Sequence, residues 1–140
     1  MKKNIINKIY ELAVESFDSN EIPVGAVVVR NDEIIGIGVN TRHNNKSVIG
    51  HAEVNAIEDA CKVVRDWRLD DCVMYVTLLP CMMCTGAIIE SRIKKVYYLC
   101  DRTNVCFNVK EYINVEKITD DVICKKYLKL LQLFFENKRK

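Results

Sequence analysis

The chain is 140 residues long and 49% apolar, enough to bury one hydrophobic core. Its 21 basic and 19 acidic residues nearly cancel, to a formal net charge of +2, so no global field marks it for nucleic acid or an anionic membrane. The start, Met1-Lys2-Lys3-Asn4, leads into an amphipathic pattern rather than the apolar run of a leader. No stretch approaches the roughly eighteen unbroken apolar residues of a membrane span, so a cytoplasmic chain is expected. Seven cysteines, odd in number and mostly irregular in spacing, suit a reducing compartment, where paired cysteines are more often metal ligands than disulfides. With two prolines, five glycines and no repeat or low-complexity segment, residues 1–140 read as a single domain.

In chain order, Ile5, Ile9, Leu12, Ala13 and Phe17 recur at helical spacing and predict an amphipathic helix over residues 4–18. Val24-Gly25-Ala26-Val27-Val28-Val29 reads as a buried strand, Asn31-Asp32 as a tight turn, and Ile34 to Val39 as the returning strand of a hairpin. Residues 40–50 are polar and irregular, a loop. From His51 to Val64 the pattern is helical again, with Val54, Ile57 and Cys61 on its apolar face. Val73 to Thr77 is rich in β-formers between polar flanks and predicts a strand. Pro80 stands where a helix can begin, and Cys84 to Ser91 continue it. Lys95 to Leu99 predict another strand, residues 101–112 are ambiguous, and Ile113 to Ile118 make a short last strand. Residues 122–137 set Ile123, Tyr127, Leu130, Leu131, Phe134 and Phe135 on an amphipathic helix. A hairpin followed by alternating helices and strands implies an α/β fold: a three-layer α/β/α sandwich around a central five-stranded mixed sheet. Trp67, Tyr97 and Tyr98 read as core aromatics, with base stacking the alternative.

Two short stretches carry chemistry. His51-Ala52-Glu53 opens one predicted helix, and Pro80-Cys81-Met82-Met83-Cys84 opens another. Cys81 and Cys84 are three apart, so on a helical turn their sulfurs point the same way, and a helix N-terminus favours their thiolates. One imidazole added to two thiolates makes three protein ligands, the number a catalytic zinc ion takes while keeping a position for water. Glu53 is two residues from His51, a spacing that does not share a face within a regular helix, though in an opening turn both side chains can lean into one cleft. A carboxylate there would serve as general acid and base. Taken alone, Cys-x-x-Cys is equally a redox pair or a structural half-site, and His-x-Glu means little. In this order, with Pro80 before the first cysteine, they match the signature of zinc-dependent nucleobase deaminases. Cys61, Cys72, Cys100, Cys106, Cys124 and His43 stand at no ligand-like spacing and read as ordinary core or surface residues.

Beyond these ligands, the chain resembles bacterial tRNA-specific adenosine deaminases of the cytidine-deaminase-like superfamily over about residues 5–99. The likeness runs through Glu21-Ile22-Pro23-Val24-Gly25-Ala26, Asn40, His51-Ala52-Glu53-Val54-Asn55-Ala56-Ile57 and Trp67-Arg68-Leu69. It continues in Tyr75-Val76-Thr77-Leu78, Pro80 to Ile89, Ser91-Arg92-Ile93, Leu130-Leu131 and Phe134-Phe135. The resemblance implies one zinc ion per chain on His51, Cys81 and Cys84. It implies that Glu53 shuttles protons to the purine ring and the leaving ammonia, as a water activated by the metal attacks carbon 6. Asn40 would bond the purine edge, and Ala52 and Pro80 would also line the substrate. Family members are homodimers that take a tRNA anticodon stem-loop, flip out its wobble adenosine and leave inosine. Unpaired loop bases can be captured without breaking a duplex.

The chain departs from that family where RNA is recognised. Leu79 replaces the usual Glu before Pro-Cys, Thr41 to Gly50 lacks the Asp-Pro-Thr-Ala run, and Cys100-Asp101-Arg102-Thr103-Asn104 does not reproduce Asp-x-Lys-x-Gly. Thr77 to Ile89 also resembles the corresponding stretch of free-base deaminases acting on cytosine or guanine, which keeps a nucleobase or nucleoside substrate open. A non-catalytic, zinc-containing partner subunit is a further alternative, disfavoured by the presence of Glu53. Lys125, Lys126 and Lys129, with the tail Lys138-Arg139-Lys140, either meet RNA phosphates or form the solvated face of a helix.

Overall fold

The opening amphipathic segment forms α1 (Lys2–Asp18) in a computed structural model that describes residues 2–103 and 106–139. Its buried stripe is Ile5, Ile9, Leu12 and Ala13. The hairpin follows as β1 (Gly25–Arg30) and β2 (Glu33–Val39). Its turn residues Asn31 and Asp32 both take positive φ, 52° and 63°, the left-handed backbone that a two-residue hairpin requires and that Asn and Asp tolerate. Then come α2 (Arg42–Asn45), α3 (Ala52–Val64), β3 (Val73–Leu78), α4 (Met82–Ser91), β4 (Lys95–Cys100), a 3-10 turn at Val109–Glu111, β5 (Val115–Lys117) and α5 (Asp121–Arg139).

The five strands lie in the order β2-β1-β3-β4-β5. β1 pairs antiparallel with both β2 and β3, whereas β3–β4 and β4–β5 are parallel, so the sheet is mixed as expected. Strand β1 is buried on both faces. Val27 and Val29 join Ile5, Ile9 and Leu12 of α1, while Ala26 and Val28 join Ala52, Ala56 and Ala60 of α3. The Phe17 and Phe134 rings meet edge to face at 6.5 Å, holding α5 against α1 in the first layer. Helices α3 and α4 form the other layer, which completes the three-layer α/β/α sandwich. Among the described residues no helix is long and apolar enough to cross a membrane.

Several expectations change on contact with the structure. The apolar face of α3 is not Val54, Ile57 and Cys61: Val54 and Cys61 are only partly buried, and the helix rests on Ala52, Ala56 and Ala60 with Ile57. The reason lies across the interface, in β2. A methyl group at Gly36 would come within 2.7 Å of the Ala60 amide nitrogen, and one at Gly38 would strike the Ala52 carbonyl. Backbone touches backbone here, so only the smallest side chains fit between. The polar segment 40–50 contains a helical turn, α2, held by a buried acid described below. Trp67 is not core: it is 56% exposed, with the Arg68 and Arg92 guanidinium groups 5.7 and 5.6 Å from its ring. Tyr98 is buried, and Tyr97 stacks on Tyr75 at 4.7 Å. Cys100 and Cys124, read as unremarkable, form a disulfide joining the end of β4 to the first turn of α5. Asn104, Lys140 and the side chains of Lys138 and Arg139, to which RNA recognition was tied, lie outside the described residues.

The glycine–alanine contact sets where α3 begins, and it is testable. Gly38→Ala is expected to destabilise the protein by about 1–3 kcal/mol through overpacking against an immovable carbonyl. Urea unfolding checks this: the midpoint should fall with an unchanged slope, whereas an unchanged midpoint would mean that the helix can lift away freely.

Candidate active site

Two helices start at the same place. His51 is the N-cap of α3 and Cys81 the N-cap of α4, both with extended backbone, and their carbonyls accept the first helical bonds from Asn55 and Thr85, each 2.9 Å long. Neither side chain caps its own helix. They turn instead toward each other: His51 Nδ1 lies 3.6 Å from Cys81 Sγ and 3.4 Å from Cys84 Sγ. The chain reaches this point because β3 runs directly into Leu79-Pro80-Cys81, with Pro80 buried just ahead of the first helical turn.

All three potential ligand atoms lie within 4.8 Å of one another. The Cys84 thiol donates to Cys81, which pulls Cys81 well below the ordinary thiol range despite its burial, and His51 adds to the effect. The same bond, together with burial, pushes Cys84 up. The bond between the two sulfurs thus favours a thiolate at Cys81 over one at Cys84. Two positive helix ends favour that negative charge. Two sulfurs and an imidazole nitrogen converging at partly buried positions fit a metal ion with three protein ligands.

Glu53 completes the cluster. It is buried (2% exposed), within hydrogen-bonding reach of the Cys84 thiol, and so does approach the ligands despite its two-residue spacing from His51. Its Oε2 is buried with no partner among the described residues, an orphan acceptor that a bound molecule would satisfy. Burial, aided by the Cys81 thiolate, pushes its carboxyl up against the opposing pull of its own amide. Such a carboxyl is suited to carry a proton near neutral pH.

The remaining expected site residues stand around this centre. Asn40 Oδ1 accepts from the Ala52 amide at 2.8 Å and its Nδ2 donates to the Ile22 carbonyl at 2.8 Å. It thereby ties the start of α3 to the segment before β1, and keeps one amide hydrogen and one lone pair for other use. Ala52 is fully buried, its amide engaged by Asn40.

Sequence reasoning missed two residues here. Glu21, 1% exposed, accepts hydrogen bonds from the amides of His43 (3.1 Å) and Asn44 (2.8 Å) and from the Asn44 side chain (2.7 Å). It holds α2 in place beside the site. Arg102, just after β4, donates from Nε to the Leu79 carbonyl at 3.0 Å. A buried acid ahead of a strand is a faint signal, and a lone arginine after one is none.

Comparison with known proteins bears on this arrangement. The MafB19-like deaminase family model matches residues 1–139. The tRNA-specific adenosine deaminase of Buchnera aphidicola subsp. Schizaphis graminum is 38% identical over 129 residues, which cover 87% of this chain and 85% of that one. A structure from biochemical and structural studies of A-to-I editing by tRNA:A34 deaminases superposes with a TM-score of 0.83 at 25% identity, covering 92% of this chain and 99% of that one. The guanine deaminase of Bacillus subtilis superposes with a TM-score of 0.68 at 38% identity, covering 73% of this chain and 66% of that one.

Two outcomes are expected from this geometry. Purified protein should carry about one metal ion per chain by elemental analysis, and Cys81→Ser should lose most of it; full retention in that variant would remove Cys81 from the ligand set. Glu21 supplies a pH dependence. Burial raises its carboxyl, but the bonds from Asn44 and His43 outweigh that and leave it below its ordinary value. Its contribution to stability is thus complete above the unfolded-state carboxylate pKa and is lost as pH falls through the lowered folded value. Amide exchange in residues 41–50 should accelerate, beyond the intrinsic change, on acidification through that window. In Glu21→Gln the added sensitivity should disappear; its persistence would exonerate the carboxylate.

Proposed function

The chain belongs to the MafB19-like deaminase family, and from that membership we propose that it is a hydrolytic deaminase converting adenosine to inosine at the wobble position of a tRNA anticodon. The observation that carries this reading is Glu53: a buried carboxyl with an unpartnered oxygen, set against the His51, Cys81 and Cys84 cluster. Its support is the likeness to tRNA-specific adenosine deaminases along most of both chains.

His51, Cys81 and Cys84 are the residues that would hold zinc, which suits a thiolate–imidazole donor set and would supply Lewis-acid activation of water at neutral pH. Glu53 takes a proton from the attacking water on its carboxylate and delivers it to the purine ring nitrogen, then takes a second from the added hydroxyl and delivers it to the departing amine. Adenosine and water become inosine and ammonia, and Glu53 ends as it began. Asn40 orients the purine edge with its spare amide hydrogen, while Ala52 and Pro80 form the wall beside it.

A homodimer suits the exposed side of α4. There Met82, Gly86 and Ile89 lie along one face, beneath Phe107 and Tyr112, around a groove of about 250 Å³. A tRNA substrate calls for the cytoplasm, where the thiolate ligands stay reduced and the Cys100–Cys124 disulfide would be open to reduction.

The likeness to guanine deaminase favours a second reading, in which the same centre acts on a free purine base. One enzyme preparation separates the two when offered an anticodon stem-loop with wobble adenosine, single-stranded DNA of matching sequence, free cytosine and free guanine. Inosine in the stem-loop alone is the expected result; turnover of guanine without inosine would retain the metal chemistry and defeat the tRNA assignment. Glu53→Ala should keep its metal and lose about 10²–10⁴-fold in rate. A variant as fast as wild type would remove Glu53 from the mechanism.

A further inference from the structure

Tyr127 is a buried polar side chain that the mechanism does not use. It lies on α5, and it is fully buried among core residues. Its hydroxyl donates to the carbonyl of Pro23 at 2.6 Å and is within hydrogen-bonding reach of the Thr77 hydroxyl. Burial pushes the phenol up, against the pull of Thr77 and with the Glu53 charge adding to it, so at neutral pH the group stays a donor. A phenylalanine would bury the same ring with no polar atom to satisfy. What the hydroxyl adds is the bond to Pro23.

The segment that receives this bond has no ladder of its own. Residues 22–24 run from α1 to β1 outside any helix or strand, so side chains must satisfy their backbone groups. These come from separate parts of the chain. Asn40 Nδ2 donates to the Ile22 carbonyl at 2.8 Å, Tyr127 to Pro23, and Ser16 to the Val24 carbonyl at 2.8 Å, while the Gly25 amide donates to Thr77 Oγ1 at 3.2 Å. The carbonyls of Ile22 and Pro23 are neighbours, so the peptide that receives Tyr127 is joined directly to the one that holds Asn40. Asn40 in turn accepts from the amide of Ala52, which stands between His51 and Glu53. A bonded path therefore runs from α5 through Pro23, Ile22 and Asn40 to the opening turn of α3.

We propose that Tyr127 is a positioning residue: through the Pro23 and Ile22 carbonyls it fixes the side-chain amide of Asn40, and with it the hydrogen that meets the purine edge. The inference rests on the role given to Asn40 in the preceding section. An Ile22 carbonyl free to turn would release Nδ2, and the Asn40 amide would spread over several orientations, of which one aligns the purine. Helix α5 thus takes part in substrate orientation without touching the substrate.

The test is a double-mutant cycle on full-length, metal-loaded protein with the wobble-adenosine stem-loop. Tyr127→Phe keeps the ring and removes only the hydroxyl. A stem-loop draws most of its affinity from groups other than the target base, so a misaligned purine should cost rate rather than binding. In Tyr127→Phe kcat should fall about tenfold while KM stays within about twofold of wild type. Asn40→Ala should be slower still, and adding Tyr127→Phe to it should cost nothing further, because the group it positions is gone. Full kcat in Tyr127→Phe, or the same loss in both backgrounds, would overturn the proposal. Should Tyr127→Phe not fold, Thr77→Val withdraws the hydroxyl beside the Tyr127 oxygen and is put through the same cycle, with the same two outcomes. Amide exchange followed by NMR needs no substrate. The Ala52 amide is held by Asn40 Oδ1, so in Tyr127→Phe its exchange should accelerate by a larger factor than that of Val28 in β1. An equal factor at both would assign Tyr127 to global stability alone. Failure of the functional reading shows differently, as wild-type protein inert on the stem-loop or Asn40→Ala as fast as wild type, and either removes the inference with it.

Discussion

The site depends on two helix N-termini meeting at one point. Each brings the positive end of a helix dipole, and together they make a small volume in which negative charge is favoured. The residues at the two caps are His51 and Cys81, neither of which spends its side chain on its own helix. The usual capping side chains would satisfy the amides and stop there. A ligand at the cap position instead aims across the gap, and the second thiol, one turn along α4 at Cys84, closes the set. Polarity and ligand geometry thus arise from a single arrangement rather than from separate devices.

Keeping two helix ends in register demands rigid supports, and the sheet supplies them differently on the two sides. Helix α4 is placed by continuity, since β3 runs into Leu79-Pro80-Cys81 with little chain to spare. Helix α3 has no such tether, because twelve residues, 40–51, separate it from β2. Its position comes from contact: glycines of β2 admit the alanine face of the helix to backbone distance. Asn40 then bonds the Ala52 amide, and Glu21 folds the intervening loop into α2. Ser16 joins the same network, donating to the Val24 carbonyl and accepting from the Asn40 amide. Buried polar groups, each with its partners satisfied, therefore replace hydrophobic bulk where bulk would push the helix off the sheet.

That division explains what the sequence made legible. Hydrophobic period revealed the helices and strands that bury large side chains, and ligand spacing revealed His51, Cys81 and Cys84, because both depend on residues close in the chain. The face of α3 was misjudged because size was taken as the mark of burial, whereas facing Gly36 and Gly38 only alanine fits. Helix α2 escaped notice because its stabilising group, Glu21, lies in a separate segment and acts through a buried carboxylate. The Cys100–Cys124 disulfide joins a strand end to a helix start across 24 residues, and no local pattern announces such a pairing. Glu53 was legible as chemistry but not as geometry. Only the opening turn of α3 brings a carboxylate two residues past a ligand into the same cleft.

The departure after β4, at Asp101 and Arg102, falls outside this rigid frame, and that has a physical reason. Every residue that positions the metal ligands is confined by backbone contact or by buried hydrogen bonds, so substitution there carries a large structural penalty. Asp101 and Arg102 sit at the rim, lining a cleft where charge can change without disturbing the caps. Leu79 belongs to the frame, with its amide on the Cys100 carbonyl, its own carbonyl receiving Arg102 and its side chain packed on the core. The geometry of the His51, Cys81 and Cys84 cluster is set by the frame, and the charge beside it is set by the rim.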